Sequence, residues 1–207
     1  MKRSPRKEAG QVRIIGGHWR NTRLQVADSP GLRPTSDRVR ETLFNWLMPV
    51  LAGARVIDAF AGSGALGLEA VSRGAGHAVL VERDAALARS LREVVARLDA
   101  QDRVDVVQDD ARGWLARQPA GGFDLAFVDP PFDAALWQPV LEALLPTLAP
   151  GAWLYLESPA GHAPALPPGW ELHRHGDTRE VRYALYRAPG RRVADTLNGN
   201  VSVAIPE

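Results

Sequence analysis

The sequence predicts an α/β fold, a parallel sheet covered by helices on both faces and closed by an antiparallel hairpin at one edge. Three observations carry this. From Arg55 onward, short β-rich runs alternate with stretches of helical period. A glycine-rich loop, Gly62-Ser63-Gly64-Ala65-Leu66-Gly67, follows the first of these runs. The apolar run Phe123–Val128 stops on Asp129-Pro130-Pro131, where neither proline can donate to a sheet ladder.

Ahead of the alternating region, Gln11–Val26 reads as two short strands joined near Gly16-Gly17, a pair that signals a hairpin turn. Arg13, Arg20 and Arg23 would project from it, and Trp19 could stack on a base or anchor the hairpin to the body. Ser29–Pro34 is a loop. Thr35 or Ser36 can cap the next helix, with Asp37 in its first turn. Val39, Leu43, Phe44, Trp46 and Leu47 share its apolar face, Arg38, Arg40 and Glu41 fall on others, and Pro49 is expected to end it.

The alternating region then reads strand Val56–Phe60, the glycine loop entering a helix, and strand Ala78–Glu82. A helix over Ala85–Leu98, a strand over Val104–Val107 and a helix opened by Asp109-Asp110 follow. Strand Phe123–Val128, a helix over Leu136–Leu148 and strand Trp153–Glu157 complete the parallel part. Trp170–His175 and Glu180–Arg187, separated at Gly176-Asp177, read as the closing hairpin. Residues 1–10 read as a basic flexible tail and residues 189–207 as a loose C-terminal one.

The chain has 207 residues with globular composition, and it lacks cysteine, which excludes disulfides and thiolate metal sites and fits a reducing cytosol. No apolar run approaches the ~20 residues of a membrane span, and no apolar stretch follows the basic N-terminus as in a secretory signal. A cytoplasmic, monomeric protein without metal or membrane partner is expected. The net charge of +1 hides an asymmetry: residues 1–40 hold ten basic and three acidic side chains, a net +7 that leaves −6 for the remainder. A basic arm on a mildly acidic body points to a polyanion.

The glycine loop is a G-x-G-x-x-G between strand and helix, permitting close backbone approach to a ligand with helix amides pointing at it. Glu82 ends the next strand, where a carboxylate can take two ribose hydroxyls. NAD and S-adenosylmethionine both satisfy these features. Asp58, just before the loop, would repel a pyrophosphate but suits a positively charged methionine end. Asp110 follows the third strand, where an adenine amino group can be read. Asp129-Pro130-Pro131-Phe132 ends the fourth, on the carboxyl edge where open α/β sheets bind ligands. There a planar base can stack on Phe132 while its exocyclic amine donates to Asp129 and to a backbone carbonyl. An NAD-dependent oxidoreductase would share the fold, but the sequence offers no evident Tyr-Lys proton relay or catalytic histidine. An inert RNA-binding assembly factor could dispense with Glu82 and Asp129, and both are present.

Arg13–Gly17, Pro30–Thr35, Asp37–Trp46, Asp58–Ala70 and Val128–Phe132 together resemble the bacterial 16S ribosomal RNA guanine-N2 methyltransferases that modify guanine 966. The resemblance implies a Rossmann-like, seven-stranded class I methyltransferase domain over residues 35–188, with residues 11–34 as an N-terminal β-hairpin extension and loop. It implies S-adenosyl-L-methionine as cofactor and 16S ribosomal RNA, or the small ribosomal subunit, as partner. By motif, Asp58, Gly62, Ser63 and Gly64 would line the methionine end, Glu82 the ribose and Asp110 the adenine, with Phe60 also among the cofactor-binding residues. Thr35 and Arg38 would lie near the cofactor's carboxylate. Asp129, Pro130, Pro131 and Phe132 would hold the target base, and Arg13, Arg20, Arg23, Arg33 and Arg40 would contact RNA phosphates. Adenine-N6 enzymes carry a related fourth-strand motif, which often starts with Asn where this chain has Asp129.

Overall fold

A computed structural model describes residues 11–25, 36–131 and 136–190. The sequence readings made for residues 1–10, for Arg33, Thr35 and Phe132, and for the stretch after Gly190 lie outside these.

The described residues form two sheets. β1 (Gln11–Arg13) and β2 (Arg23–Gln25) pair antiparallel, with Val12 opposite Leu24. The second sheet has seven strands in the order β5-β4-β3-β6-β7-β9-β8. β3 (Arg55–Asp58), β4 (His77–Glu82), β5 (Val104–Gln108), β6 (Phe123–Val128) and β7 (Leu148–Pro159) run parallel. β9 (Val181–Arg187) adds antiparallel to β7, and β8 (Glu171–Asp177) closes the edge. The α/β class, the parallel core and the closing hairpin are therefore as the sequence predicts.

Among the described residues five α-helices cover the sheet: α1 (Asp37–Leu51), α2 (Ala65–Ser72), α3 (Ala85–Arg97), α4 (Ala111–Leu115) and α5 (Trp137–Leu144). Alternate strand residues face opposite sides, and the core divides accordingly. On one face Val56, Leu80, Leu125, Phe127 and Tyr155 pack with α1, α2, α3 and the small hairpin. On the other, Ile57, Val79, Ala126, Val128 and Leu154 pack with α4 and α5.

Several boundaries differ from expectation. Pro49 lies inside α1, not at its end. In the last turn a proline forfeits a single backbone bond, and Leu47 and Leu51, buried one turn apart, hold the helix on the core across it. The hairpin strands are joined through Gly16-Gly17 as read, by a connection longer than a two-residue turn. Pairing continues to Ile14 and Thr22, and Asn21 supplies the left-handed turn residue at φ 68°. Gly176 stays in β8 opposite Tyr183, whose ring fills the space a Cβ would need. The turn falls instead at Thr178, whose hydroxyl accepts from the Val181 amide. α5 stops at Leu144, and one 3₁₀ turn, Leu145–Thr147, leads directly into β7.

Candidate active site at the carboxyl edge of the sheet

The sheet reverses its winding between β3 and β6, where an open α/β sheet leaves a crevice at its carboxyl edge. Asp58 lies opposite Phe127 in register, and the Ala59 amide donates to the Phe127 carbonyl at 3.0 Å. The β3 loop and the Asp129 end of β6 are thus adjacent. Glu82 is one strand further on, paired with Gln108 at the end of β5. The carboxylates read from the sequence at these strand ends share one edge.

Each organises backbone around it. Asp58, 2% exposed, accepts from the Gly67 amide at 3.0 Å and also from the Phe60 amide. Burial pushes its carboxyl up to about 7, against the pull of those two amides, and the nearby charge of Glu82 adds to the rise. Gly67 permits this contact: a Cβ there would stand 2.1 Å from Leu80, so only glycine lets α2 lie this close to β4. Gly64 caps α2 in the left-handed region at φ 78°. Glu82 is half-buried and accepts from Gly62 at 2.9 Å and from Asp84 at 2.8 Å, tying the glycine loop to the next strand. Asp110 is exposed and caps α4 by accepting from Gly113 at 3.0 Å. Phe60 and Ser63 are half-buried on the same loop.

Asp129 is half-buried, Pro130 buried and Pro131 exposed. The register Val128↔Leu156 sets Glu157 of β7 beside Asp129. Glu157 is buried and accepts from the Tyr155 hydroxyl at 2.7 Å. Burial, together with the Glu157 and Asp129 charges, raises the Tyr155 phenol well above its ordinary value. Sequence reasoning missed this buried acid. Its signal is a charged residue ending an otherwise apolar strand.

The structure separates the arginines assigned to RNA. Arg13, Arg20 and Arg23 are exposed on the hairpin. Arg13 also donates to Asp37 at 3.3 Å, and with Arg23 and Asn21 it borders an open depression of about 450 Å³. Arg40 corrects the prediction: its side chain is fully buried and cannot reach a phosphate. It donates to Glu69 at 3.1 Å, to the Arg13 carbonyl at 2.9 Å and to Asp37 at 2.7 Å. Arg38 is exposed near the start of α1. Trp19 is an anchor, 6% exposed in the core, with the Arg103 guanidinium 5.1 Å from its ring. Among the described residues no helix is long and apolar enough to cross a membrane, and no three His, Asp or Glu gather as a metal site.

A seven-stranded sheet with its last strand antiparallel and inserted, a glycine loop after its first parallel strand and acids at successive strand ends define the class I methyltransferase architecture. The chain belongs to the family described as Conserved hypothetical protein 95, which matches residues 12–187. It is 46% identical over 198 residues to ribosomal RNA small subunit methyltransferase D of Escherichia coli K12, covering 94% of this chain and 99% of that one. The Haemophilus influenzae enzyme of the same name is 39% identical over 183 residues, 86% of this chain and 94% of its own. The solved structure of yhhF from E. coli superposes with a TM-score of 0.79 at 46% identity, over 88% of this chain and all of that one. HI0767 from H. influenzae gives 0.74 at 34% identity, over 87% and 99%. The protein is a methyltransferase.

Proposed function

We propose that this protein transfers a methyl group from S-adenosyl-L-methionine to the exocyclic N2 of a guanine in 16S ribosomal RNA, the position resembling guanine 966. The supporting observation is the β3–β6 register, which sets Asp129-Pro130 directly beside the Asp58–Phe60 loop. The relatives named for small-subunit ribosomal RNA methylation support the acceptor class.

The residues fit the cofactor. A buried carboxyl with raised proton affinity, Asp58, favours a cationic neighbour such as the methionine ammonium. Glu82 uses each oxygen once toward backbone amides, and a carboxylate has further lone pairs for ribose hydroxyls. Asp110, its cap bond made through Oδ1, can accept from an adenine amine with Oδ2. Arg38 would meet the cofactor's carboxylate. When bound, S-adenosylmethionine supplies an electrophilic methyl carbon on a sulfonium.

The chain's own work is to place the amine. The guanine leaves its stack, which costs little for an unpaired loop base. Asp129 and the Pro130 carbonyl accept its two N–H bonds and turn the nitrogen lone pair out of conjugation toward the methyl carbon. With the donor bound, the N–C bond would form as the C–S bond broke, and Asp129 or water would take the surplus N2 proton. Asp129 need not be a strong base, because that proton becomes acidic only once the bond exists. Positioning supplies most of the acceleration. Arg13, Arg20 and Arg23 would meet phosphates on the way to the site.

The test is to incubate the protein with labelled S-adenosylmethionine and small ribosomal subunits lacking the modification, then map the label. Label on N2 of one guanine is expected. Label on an adenine, or none on RNA, overturns the reading.

A further inference from the structure

Outside the strand-end site, a buried polar cluster fills the seam between the N-terminal hairpin and α2. Glu69 is fully buried there. Its Oε2 accepts from the Ile15 amide at 3.2 Å and from Arg40 Nη1 at 3.1 Å. Its Oε1 accepts from the Gly16 amide at 3.1 Å and from Arg73 Nε at 2.8 Å. One carboxylate thus gathers the hairpin backbone, α1 and the end of α2. A second set of bonds lies one turn on. The His18 amide donates to the Ser72 carbonyl at 2.7 Å, the Trp19 amide to Ser72 Oγ at 2.9 Å, and Ser72 Oγ to the Gly16 carbonyl at 2.7 Å. Gly17, at φ 79°, lies so close that a Cβ would stand 1.9 Å from the Ser72 carbonyl oxygen.

α2 joins the two ends of the problem. It starts at Gly64, the close of the cofactor loop, and ends at Ser72, where the hairpin docks. Eight helical residues span roughly 12 Å, so a single rigid segment sets the spacing between them. We infer that Glu69 is a positioning residue: through the Arg40–Glu69–Arg73 cluster it fixes the hairpin, and any RNA the hairpin carries, at a set distance and angle from the methyl donor. This rests on the reading of the hairpin as an RNA-contacting arm. A misplacement of about 1 Å at a reacting centre can cost ~100-fold in rate, which is why a docking seam can govern turnover and not only affinity.

The test uses Glu69→Gln, which keeps shape but removes the charge shared by two guanidinium groups. Gly17→Ala is the second variant, disturbing the same seam without altering charge. Both are assayed on small subunits lacking the modification, with S-adenosylmethionine affinity measured separately and hydrogen exchange followed over residues 11–25. We expect faster exchange in that segment, turnover at saturating subunits reduced about tenfold or more, and cofactor affinity within about twofold of wild type. Three results would each overturn the inference: wild-type turnover in both variants, a rise in KM for subunits with turnover unchanged, or a parallel loss of cofactor affinity that marks general loosening of α2. Wild-type protein inactive on RNA would instead count against the proposed reaction, while the exchange measurement would still report the docking.

Discussion

The carboxyl edge of the sheet and the hairpin seam both rely on carboxylates that accept from backbone amides, and only the seam adds guanidinium partners. At the edge Asp58, Glu82 and Asp110 accept from backbone amides. In the seam Glu69 faces two guanidinium groups, and Arg40 bridges it to Asp37 and to the hairpin. An acid that meets only amides keeps a need for a cation and is suited to a ligand. An acid paired with arginines at zero exposure is suited to joining pieces of chain.

The contrast is broken most severely by removing Arg40. Arg40→Met leaves Glu69 buried with half its charge partners, and losing one member of a buried pair costs about 3–5 kcal/mol. Urea unfolding should show this as a lower midpoint. The double variant Arg40→Met/Glu69→Leu should recover part of the loss, because replacing both partners removes the stranded charge. If the single variant unfolds like wild type, the seam does not hold the hairpin.

Asp129→Ala tests the other region. It should cut methyl transfer by about 10²–10³-fold, the usual effect of deleting one positioned hydrogen-bonding group, while calorimetric affinity for S-adenosylmethionine persists. Turnover near wild type would remove Asp129 from the role proposed for it.

The two regions also differ in how far they could be read from the chain. The edge is contiguous in sequence: Asp58–Gly67 is one stretch from strand end through loop to helix start and Val128–Pro131 one strand end, and parallel winding brings successive strand ends together without knowledge of any distant contact. The seam is not. Ile15 and Gly16 reach Glu69 across more than fifty residues, and periodicity alone puts Arg40 on a polar face of α1. What hides Arg40 is the hairpin lying over it, and no local pattern encodes that. A usable signal did exist: Glu69 is the only charged residue of α2, and every α2 residue from Leu66 to Ser72 is buried. A lone charge in a helix that is apolar all round implies an ion partner. The Gly16-Gly17 pair did mark the connection between the hairpin strands, but the close approach of Gly17 to α2 has no local signal.

A subtler probe of the edge is pH. Asp58 titrates near 7 when folded and near 3.8 as an isolated group. The folded protein therefore holds a proton that the unfolded chain has lost between those values. This contribution to stability is full below about pH 4 and is lost as pH rises through 7. If the methionine ammonium sits beside Asp58, binding expels that proton. Affinity should then rise with pH up to about 7 and level off, with close to one proton released at pH 6 and almost none at pH 8.5. Calorimetry in two buffers of different ionisation enthalpy measures the release, and its absence at pH 6 would place the ammonium elsewhere.

On the hairpin, Arg13→Gln and Arg23→Gln should each weaken subunit binding and reduce the slope of log affinity against log salt by roughly 0.7–0.9. A slope unchanged in both would mean that these exposed arginines meet no phosphate.

The smallest effect is expected where the seam's chemistry recurs in water. Arg55 grips Asp124 through Nε at 3.1 Å and Nη2 at 3.1 Å, a two-point contact comparable to that of Arg73 on Glu69. The hydrogen bond to Arg55 holds the Asp124 carboxyl below its ordinary range. Yet the two side chains are 50% and 40% exposed, so water and salt screen the attraction and solvate whichever partner is left alone. Arg55→Gln should therefore cost no more than about 1 kcal/mol in urea unfolding, against several for Arg40→Met. Arg40 meets Glu69 at one point and also holds Asp37 and the Arg13 carbonyl, so the ratio of the two losses measures what burial and that wider network add together. A ratio near one would mean that neither exclusion of water nor the extra bonds give the seam its strength.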